Sequence, residues 1–174
     1  MRTTIYYCDW DKKKKSCELL QLAISRYLDR EIESITVCRA EEQGKPYVRE
    51  LPEIHFSISH SGGIWVCAVS SAEVGLDLQV RYAGDGEKLA RRFFHPSEVC
   101  WLELHGFDQF SRLWAYKESY VKYTGVGLKD GLDYFSVVDE LPVAQREIPF
   151  REDFWMVLTG SKDISFEIPL CYLE

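Results

Sequence analysis

Asp77 and Gln79 stand two apart in the run VGLDLQV, Val74 to Val80. Side chains two apart on a strand point the same way, about 6.5–7 Å between Cα atoms. Val74, Leu76, Leu78 and Val80 take one face, and Gly75, Asp77 and Gln79 take the other. Two oxygens therefore face one side, with room left beside them by the glycine. A hard cation such as Mg²⁺ takes few protein oxygens and completes its shell with water or phosphate. One carboxylate from a strand and one from a helix would suit it. The spacing is equally that of the wet face of an edge strand, and both readings stand.

The helix candidate is WAYKESYVKYTG, Trp114 to Gly125. At about 100° per residue, Phe110, Leu113, Trp114 and Val121 share one stripe, with Lys117 near its middle and Glu118 at its edge. Glu118 and Lys122 are four apart and so are surface neighbours. An ion pair on a solvated flank, worth about 0.3–0.5 kcal/mol, accounts for those two. It does not account for Lys117, whose ammonium must snorkel out of an apolar seam or find an anion. An anionic ligand on that face would supply one. A third group is FSISHSG, Phe56 to Gly62, where Ser57 and Ser59 alternate with Phe56 and Ile58 and His60 precedes a turn. Small residues beside a histidine let a phosphate approach backbone N–H groups and the ring. A capped hairpin with a half-exposed His60 explains the same residues. No P-loop, nucleophile elbow, HExxH or dinucleotide fingerprint is present.

The elements that must position these groups follow from periodicity and turn residues. Ser16 to Leu28 reads as an amphipathic helix carrying Leu19, Leu20, Ala23, Ile24, Tyr27 and Leu28. Ile35 to Cys38 reads as a short strand, and GKPYV, Gly44 to Val48, as a turn into an extended segment. IHFSISH and IWVCAVSS around Ser61-Gly62-Gly63 signal a β-hairpin. A tight turn at Ser71 to Glu73 leads into VGLDLQV. RYAGDG, Arg81 to Gly86, is the expected boundary between halves spanning 1–82 and 83–174. A helical region with breaks near Pro96 and Gly106 then runs to Thr124. In the tail, LDYFSVV, FWMVLTG and ISFEIPLCYL read as strands. The expected fold is α+β: two pseudo-repeated halves, each a helix packed on a short antiparallel sheet, with the site at their junction.

The 174 residues suit one compact unit of two halves, and 46% hydrophobic content supports a core. The formal net charge of −7 argues against a nucleic-acid partner but leaves room for a local basic pocket. Lys12 to Lys15 reads as a solvated charge run. Six scattered cysteines, without a CxxC pair, indicate reduced and mostly buried thiols. No apolar run reaches membrane-spanning length, which points to a cytoplasmic protein without a membrane partner.

The order and wording of five motifs are specific. GKPY (Gly44 to Tyr47), FSISHSG (Phe56 to Gly62), VGLDLQ (Val74 to Gln79), RRFFHPSE (Arg91 to Glu98) and WAYKESYVKYTGVGL (Trp114 to Leu128) resemble those of the 4′-phosphopantetheinyl transferases. The likeness is to the long, surfactin-synthetase-type branch and covers roughly Gly44 to Val138. The resemblance implies an enzyme that transfers the phosphopantetheine arm of coenzyme A to a serine of an apo acyl or peptidyl carrier protein and releases 3′,5′-ADP. By the same resemblance, Asp77, Gln79 and Glu118 hold Mg²⁺ (or Mn²⁺). Lys45, Pro46, Ser59 and His60 line the coenzyme A site, and Lys117 and Lys122 meet its phosphates. Asp77, Glu118 and Lys122 form the catalytic set, with Glu118 able both to ligate the metal and to accept the serine proton.

Two departures from the family pattern stand out. Gln79 occupies the place of the usual second acid, so the site carries one negative charge fewer. The N-terminal half is shorter than usual for the long branch, and a monomer is expected. A non-catalytic coenzyme A-binding module is the alternative that the loss of the acid suggests. An unrelated Mg²⁺-dependent phosphohydrolase fits the charges but not the ordered motifs.

Overall fold

A computed structural model of the chain describes residues 2–11, 13–39, 44–81, 84–127, 131–164 and 167–174. The N-terminal part runs β1 (Thr3–Asp9), α1 (Ser16–Leu28), β2 (Val37–Arg39), β3 (Pro46–Val48), β4 (His55–Ser61), β5 (Ile64–Ser70) and β6 (Val74–Val80). Three helices follow: α2 (Gly86–Phe93), α3 (Pro96–His105) and, after a 3-10 turn at Phe107–Gln109, α4 (Phe110–Thr124). The chain closes with β7 (Ala144–Glu147), β8 (Phe154–Gly160) and β9 (Leu170–Tyr172).

Strand β5 is buried along its whole length because both its faces are covered. Trp65, Cys67 and Val69 pack with Leu19, Leu20, Ala23 and Ile24 of α1. Ile64, Val66 and Ala68 share a second core with Val74, Leu76 and Leu78 of β6 and with Met156 and Leu158 of β8. The two-residue period of each strand thus divides its side chains between neighbouring layers. The larger sheet has the order β4-β5-β1-β9, and the smaller has β6-β8-β7. Strand β9 pairs in parallel with β1, so the tail of the chain completes the first sheet. A third cluster, with Ala90, Phe94, Leu102, Phe110 and Leu113, joins α2, α3 and α4.

The α+β class and most expected elements are present, and α1 has the expected bounds. LDYFSVV is a correction: residues 132–138 form turns and bends, and their backbone is used to hold a buried lysine. ISFEIPLCYL contributes only the short β9 among its described residues. The expected boundary between 82 and 83, as well as Lys12 and Leu128, lies outside the described residues. Cys8 and Cys67 are buried, whereas Cys17 and Cys100 are exposed, so burial of the thiols is less general than expected. Among the described residues, no helix is long and apolar enough to cross a membrane.

The face of β6 opposite the core is not wet. Helix α4 lies on it, and Gly75 is the reason it can approach. A Cβ on Gly75 would overlap the Ser119 carbonyl oxygen and the Tyr123 amide, which are backbone and cannot swing aside. Gly75→Ala is therefore expected to lower stability by about 3 kcal/mol, the upper end of overpacking costs, and to loosen α4. Urea unfolding, with amide exchange along α4, measures both.

Candidate functional site

Five segments meet around a cleft of about 600 Å³: the start of α1, strand β2, strand β4, the Gly44-Lys45-Pro46 turn and helix α4. Lys45, Pro46, His60, Glu118 and Lys122 line it, together with Trp10, Arg39 and Phe56. Five of these eight were expected at the site; Phe56 lies in the FSISHSG motif but was not singled out, and Trp10 and Arg39 lie outside the quoted motifs. His60 is exposed, and its ring centroid lies 5.0 Å from that of Trp10.

Asp77 is 2% exposed. Its Oδ1 accepts from the Ser59 hydroxyl at 2.8 Å and from Lys122 Nζ at 2.6 Å, and its Oδ2 accepts from Gln79 Nε2 at 3.2 Å. The environment thus supplies one formal charge and two neutral donors to a carboxylate removed from water. Glu118 has no hydrogen-bond or ion-pair partner among the described residues. Burial pushes its carboxyl above the usual glutamate range, and the Asp77 charge adds to the push, while Lys122 opposes it. Two carboxylates sharing one ammonium are an unbalanced set, and unbalanced carboxylates invite a cation.

The β4 and β6 strands belong to different sheets, yet they are tied along their length. Ser57 Oγ accepts the Leu76 N–H at 2.8 Å, Ser59 Oγ the Leu78 N–H at 3.2 Å, and Ser61 Oγ the Val80 N–H at 3.0 Å. The alternation in FSISHS therefore has a structural use. Hydroxyls on one face of β4 satisfy amides that β6 does not pair within its own sheet.

Lys45 reaches the start of β6. Its ammonium donates to Glu73 and, at 2.7 Å, to the Val74 carbonyl, and Glu73 also contacts His55 Nδ1 at 2.7 Å. Burial pulls the Lys45 pKa down, and Glu73 opposes that. Gly125, in the left-handed region at φ 73°, ends α4 against Lys45; a Cβ there would sit 3.1 Å from the Lys45 Cβ.

Two residues expected at the coenzyme A site, Ser59 and Lys117, do not line the cleft. Ser59 is 6% exposed and is taken up by Leu78 and Asp77, as above. Lys117 is fully buried. Its Nζ donates to both Glu98 carboxylate oxygens and to the Phe135 carbonyl, each at 2.7 Å. Glu98 is also fully buried and accepts from the Val137 and His95 N–H groups at 2.8 and 3.0 Å. The Lys117 ammonium lies 4.1 Å from the Phe135 ring centroid. The anion that the apolar stripe required is thus a protein carboxylate. Burial draws the Lys117 pKa down and Glu98 opposes that shift. The pattern HPSE carries a signal for Glu98, because glutamate three residues after the N-cap His95 completes a capping box. The capping role was legible, but the partner was not.

Among the described residues, no group of three or more His, Cys, Asp or Glu side chains is arranged to hold a metal ion. Gln79, expected beside Asp77 as a third oxygen donor, turns its amide N–H toward Asp77 Oδ2 and does not line the cleft, whereas the Asp77 and Glu118 carboxylates are near enough to raise the Glu118 pKa. A smaller pocket of about 350 Å³ is lined by Gln79, Arg81, Leu89, Phe93, Phe110 and Trp114.

A family model described as the 4′-phosphopantetheinyl transferase superfamily matches residues 73–160. A 4′-phosphopantetheinyl transferase of Bacillus subtilis is 38% identical over 136 residues, covering 75% of this chain and 60% of that protein. The 4′-phosphopantetheinyl transferase psf-1 of Bacillus pumilus is 34% identical over 140 residues, covering 78% and 60%. The 4′-phosphopantetheinyl transferase gsp of Aneurinibacillus migulanus is 42% identical over 94 residues, covering 52% and 38%. The chain spans about 60% of the length of the Bacillus relatives it matches.

Removing one member of a buried pair leaves the other charge without compensation. Lys117→Met is expected to cost about 3–5 kcal/mol in urea unfolding. Adding Glu98→Gln, which removes the uncompensated charge but keeps one carbonyl acceptor where Glu98 offers two to the His95 and Val137 amides, should restore part of that loss.

Proposed function

The chain belongs to the 4′-phosphopantetheinyl transferase superfamily, in its long, surfactin-synthetase-type branch, and from that premise we propose that it moves the 4′-phosphopantetheine arm of coenzyme A onto a serine of an apo acyl or peptidyl carrier protein. The observation that carries the proposal is the convergence of Asp77 from β6 with Glu118 and Lys122 from α4 beside one cleft that Lys45 and His60 also line. 3′,5′-ADP leaves. A cytoplasmic, monomeric enzyme belongs to the same proposal.

The chemistry follows from the groups present. The carrier serine oxygen bonds to the β-phosphorus of the coenzyme A pyrophosphate, and the bond from that phosphorus to the departing ADP oxygen breaks. Glu118 takes the serine proton, directly or through water. Its raised pKa makes it a stronger base than an exposed glutamate. Lys122, whose side chain is 27% exposed, keeps a charge at the cleft that meets phosphoryl oxygens. Asp77, Glu118 and the Gln79 carbonyl would hold Mg²⁺ (or Mn²⁺), which when bound draws charge from the phosphoryl oxygens. Lys117 acts on this chemistry only by anchoring α4 through Glu98.

A second reading, a non-catalytic coenzyme A-binding module, is favoured by one observation: both Asp77 oxygens accept from protein donors, Oδ1 from Ser59 and Lys122 and Oδ2 from Gln79.

Incubation with coenzyme A, Mg²⁺ and a panel of apo carrier proteins should add one phosphopantetheine arm, read by mass spectrometry. A folded, coenzyme A-binding protein that modifies none of them supports the second reading. In the same assay, Glu118→Gln should lower the rate at least 100-fold, within the usual range for general-base loss. Coenzyme A affinity should fall much less; equal losses would assign Glu118 to ligand binding alone.

Gln79→Glu places a carboxylate where an amide now donates to Asp77. Without divalent cation the variant should melt below the parent protein, because like charges then face each other. Calorimetry should show tighter Mg²⁺ binding.

A further inference from the structure

The hydroxyl of Ser59 is held from two sides. It accepts the Leu78 N–H at 3.2 Å, and its own proton goes to Asp77 Oδ1 at 2.8 Å. We propose that Ser59 is a positioning residue that aims Asp77, rather than a contact of the coenzyme A molecule. The inference rests on the transferase reading only in taking Asp77 as the cation-holding carboxylate.

Asp77 has one partner with a formal charge, Lys122, and that partner sits on a long stem with its side chain 27% exposed. A pyrophosphate arriving in the cleft competes for the same ammonium. Gln79 is half-buried, and its bond to Oδ2 is the longest of the three. Ser59 differs in kind. It is 6% exposed, its side chain has one rotatable bond to the oxygen, and the Leu78 amide occupies one of its lone pairs. That amide fixes where the hydroxyl proton can point. Ser59 is thus the partner that remains when Lys122 turns toward phosphate. Ser57 and Ser61 make the same amide bond to β6 but hold no carboxylate. The distinction between Ser59 and its two neighbours is therefore the Asp77 contact, not the inter-sheet tie. Ser59 is also absent from the cleft lining, which includes Ser57 and His60 on either side of it.

The test separates aiming from ligand contact. Mn²⁺ affinity is measured by electron paramagnetic resonance with coenzyme A present, and coenzyme A affinity by calorimetry without divalent cation. Ser59→Ala should weaken Mn²⁺ binding about 10-fold or more, the range seen when a partner of a metal ligand is removed. Its metal-free coenzyme A affinity should stay within about twofold of the parent's. Ser61→Ala loses one inter-sheet amide bond and should change neither value. A Ser59→Ala protein that loses metal-free coenzyme A affinity as much as Mn²⁺ affinity, or loses neither, overturns the inference. If Ser59→Ala folds poorly, Ser59→Cys keeps the volume with a weaker donor and should show the same split; equal losses again overturn it. A parent protein that binds no Mn²⁺ sinks the metal part of the transferase reading instead. The crystal structure of metal-free Ser59→Ala then decides: a swung Asp77 carboxylate supports the inference, and an unmoved one overturns it.

Discussion

The Lys122–Asp77 contact joins the two elements from which the site is made. Asp77 sits on a strand face covered by helix α4, so its carboxylate is nearly dry. A dry carboxylate requires donors, and Lys122 provides the charged one at 2.6 Å. The contact is possible because Gly75, two residues earlier, lets the helix backbone rest on the strand. Glu118, one turn before Lys122, is thereby brought near Asp77, and its pKa rises by burial and by that charge. A site with two carboxylates and one ammonium follows from one close approach of helix to strand.

The position of α4 has a second anchor on its other side. Lys117 and Glu98 are a fully buried pair, and every oxygen of Glu98 is satisfied by an ammonium and a backbone amide. Such a pair gives little net stability over well-packed apolar residues, because desolvation offsets the attraction. Its geometric demands are strict, however. Lys117 precedes Glu118 in the chain, so fixing one fixes the direction of the other. α4 is thus held at Lys117 by α3 and the 132–138 segment, and at Lys122 by β6.

Much of this was legible in the sequence where one signal dominated. The period of α1, the Gly62-Gly63 turn and the alternation in VGLDLQV gave their elements nearly residue for residue. Lys117 on an apolar stripe correctly announced a missing anion. Periodicity along one helix cannot say which distant carboxylate answers it, and the answer was Glu98 on another helix rather than a ligand. The same limit applies to Ser59: its place on a strand face is local, but the Leu78 and Asp77 groups it meets come from a different sheet. LDYFSVV has the apolar content of a strand but serves as an irregular segment whose carbonyl and amide hold the buried pair. Tertiary hydrogen bonds there outweigh β propensity.

The central claim is that Asp77, Glu118 and Lys122 form a joint seat for a divalent cation and the pyrophosphate of coenzyme A. Linkage makes this directly measurable, since two ligands that share a site change each other's affinity by the same factor. Calorimetric titrations of Mg²⁺ with and without coenzyme A, and of coenzyme A with and without Mg²⁺, close that cycle. The account predicts mutual tightening by one common factor of at least about fivefold, the lower end of usual coupling. Affinities that are independent of each other would contradict it.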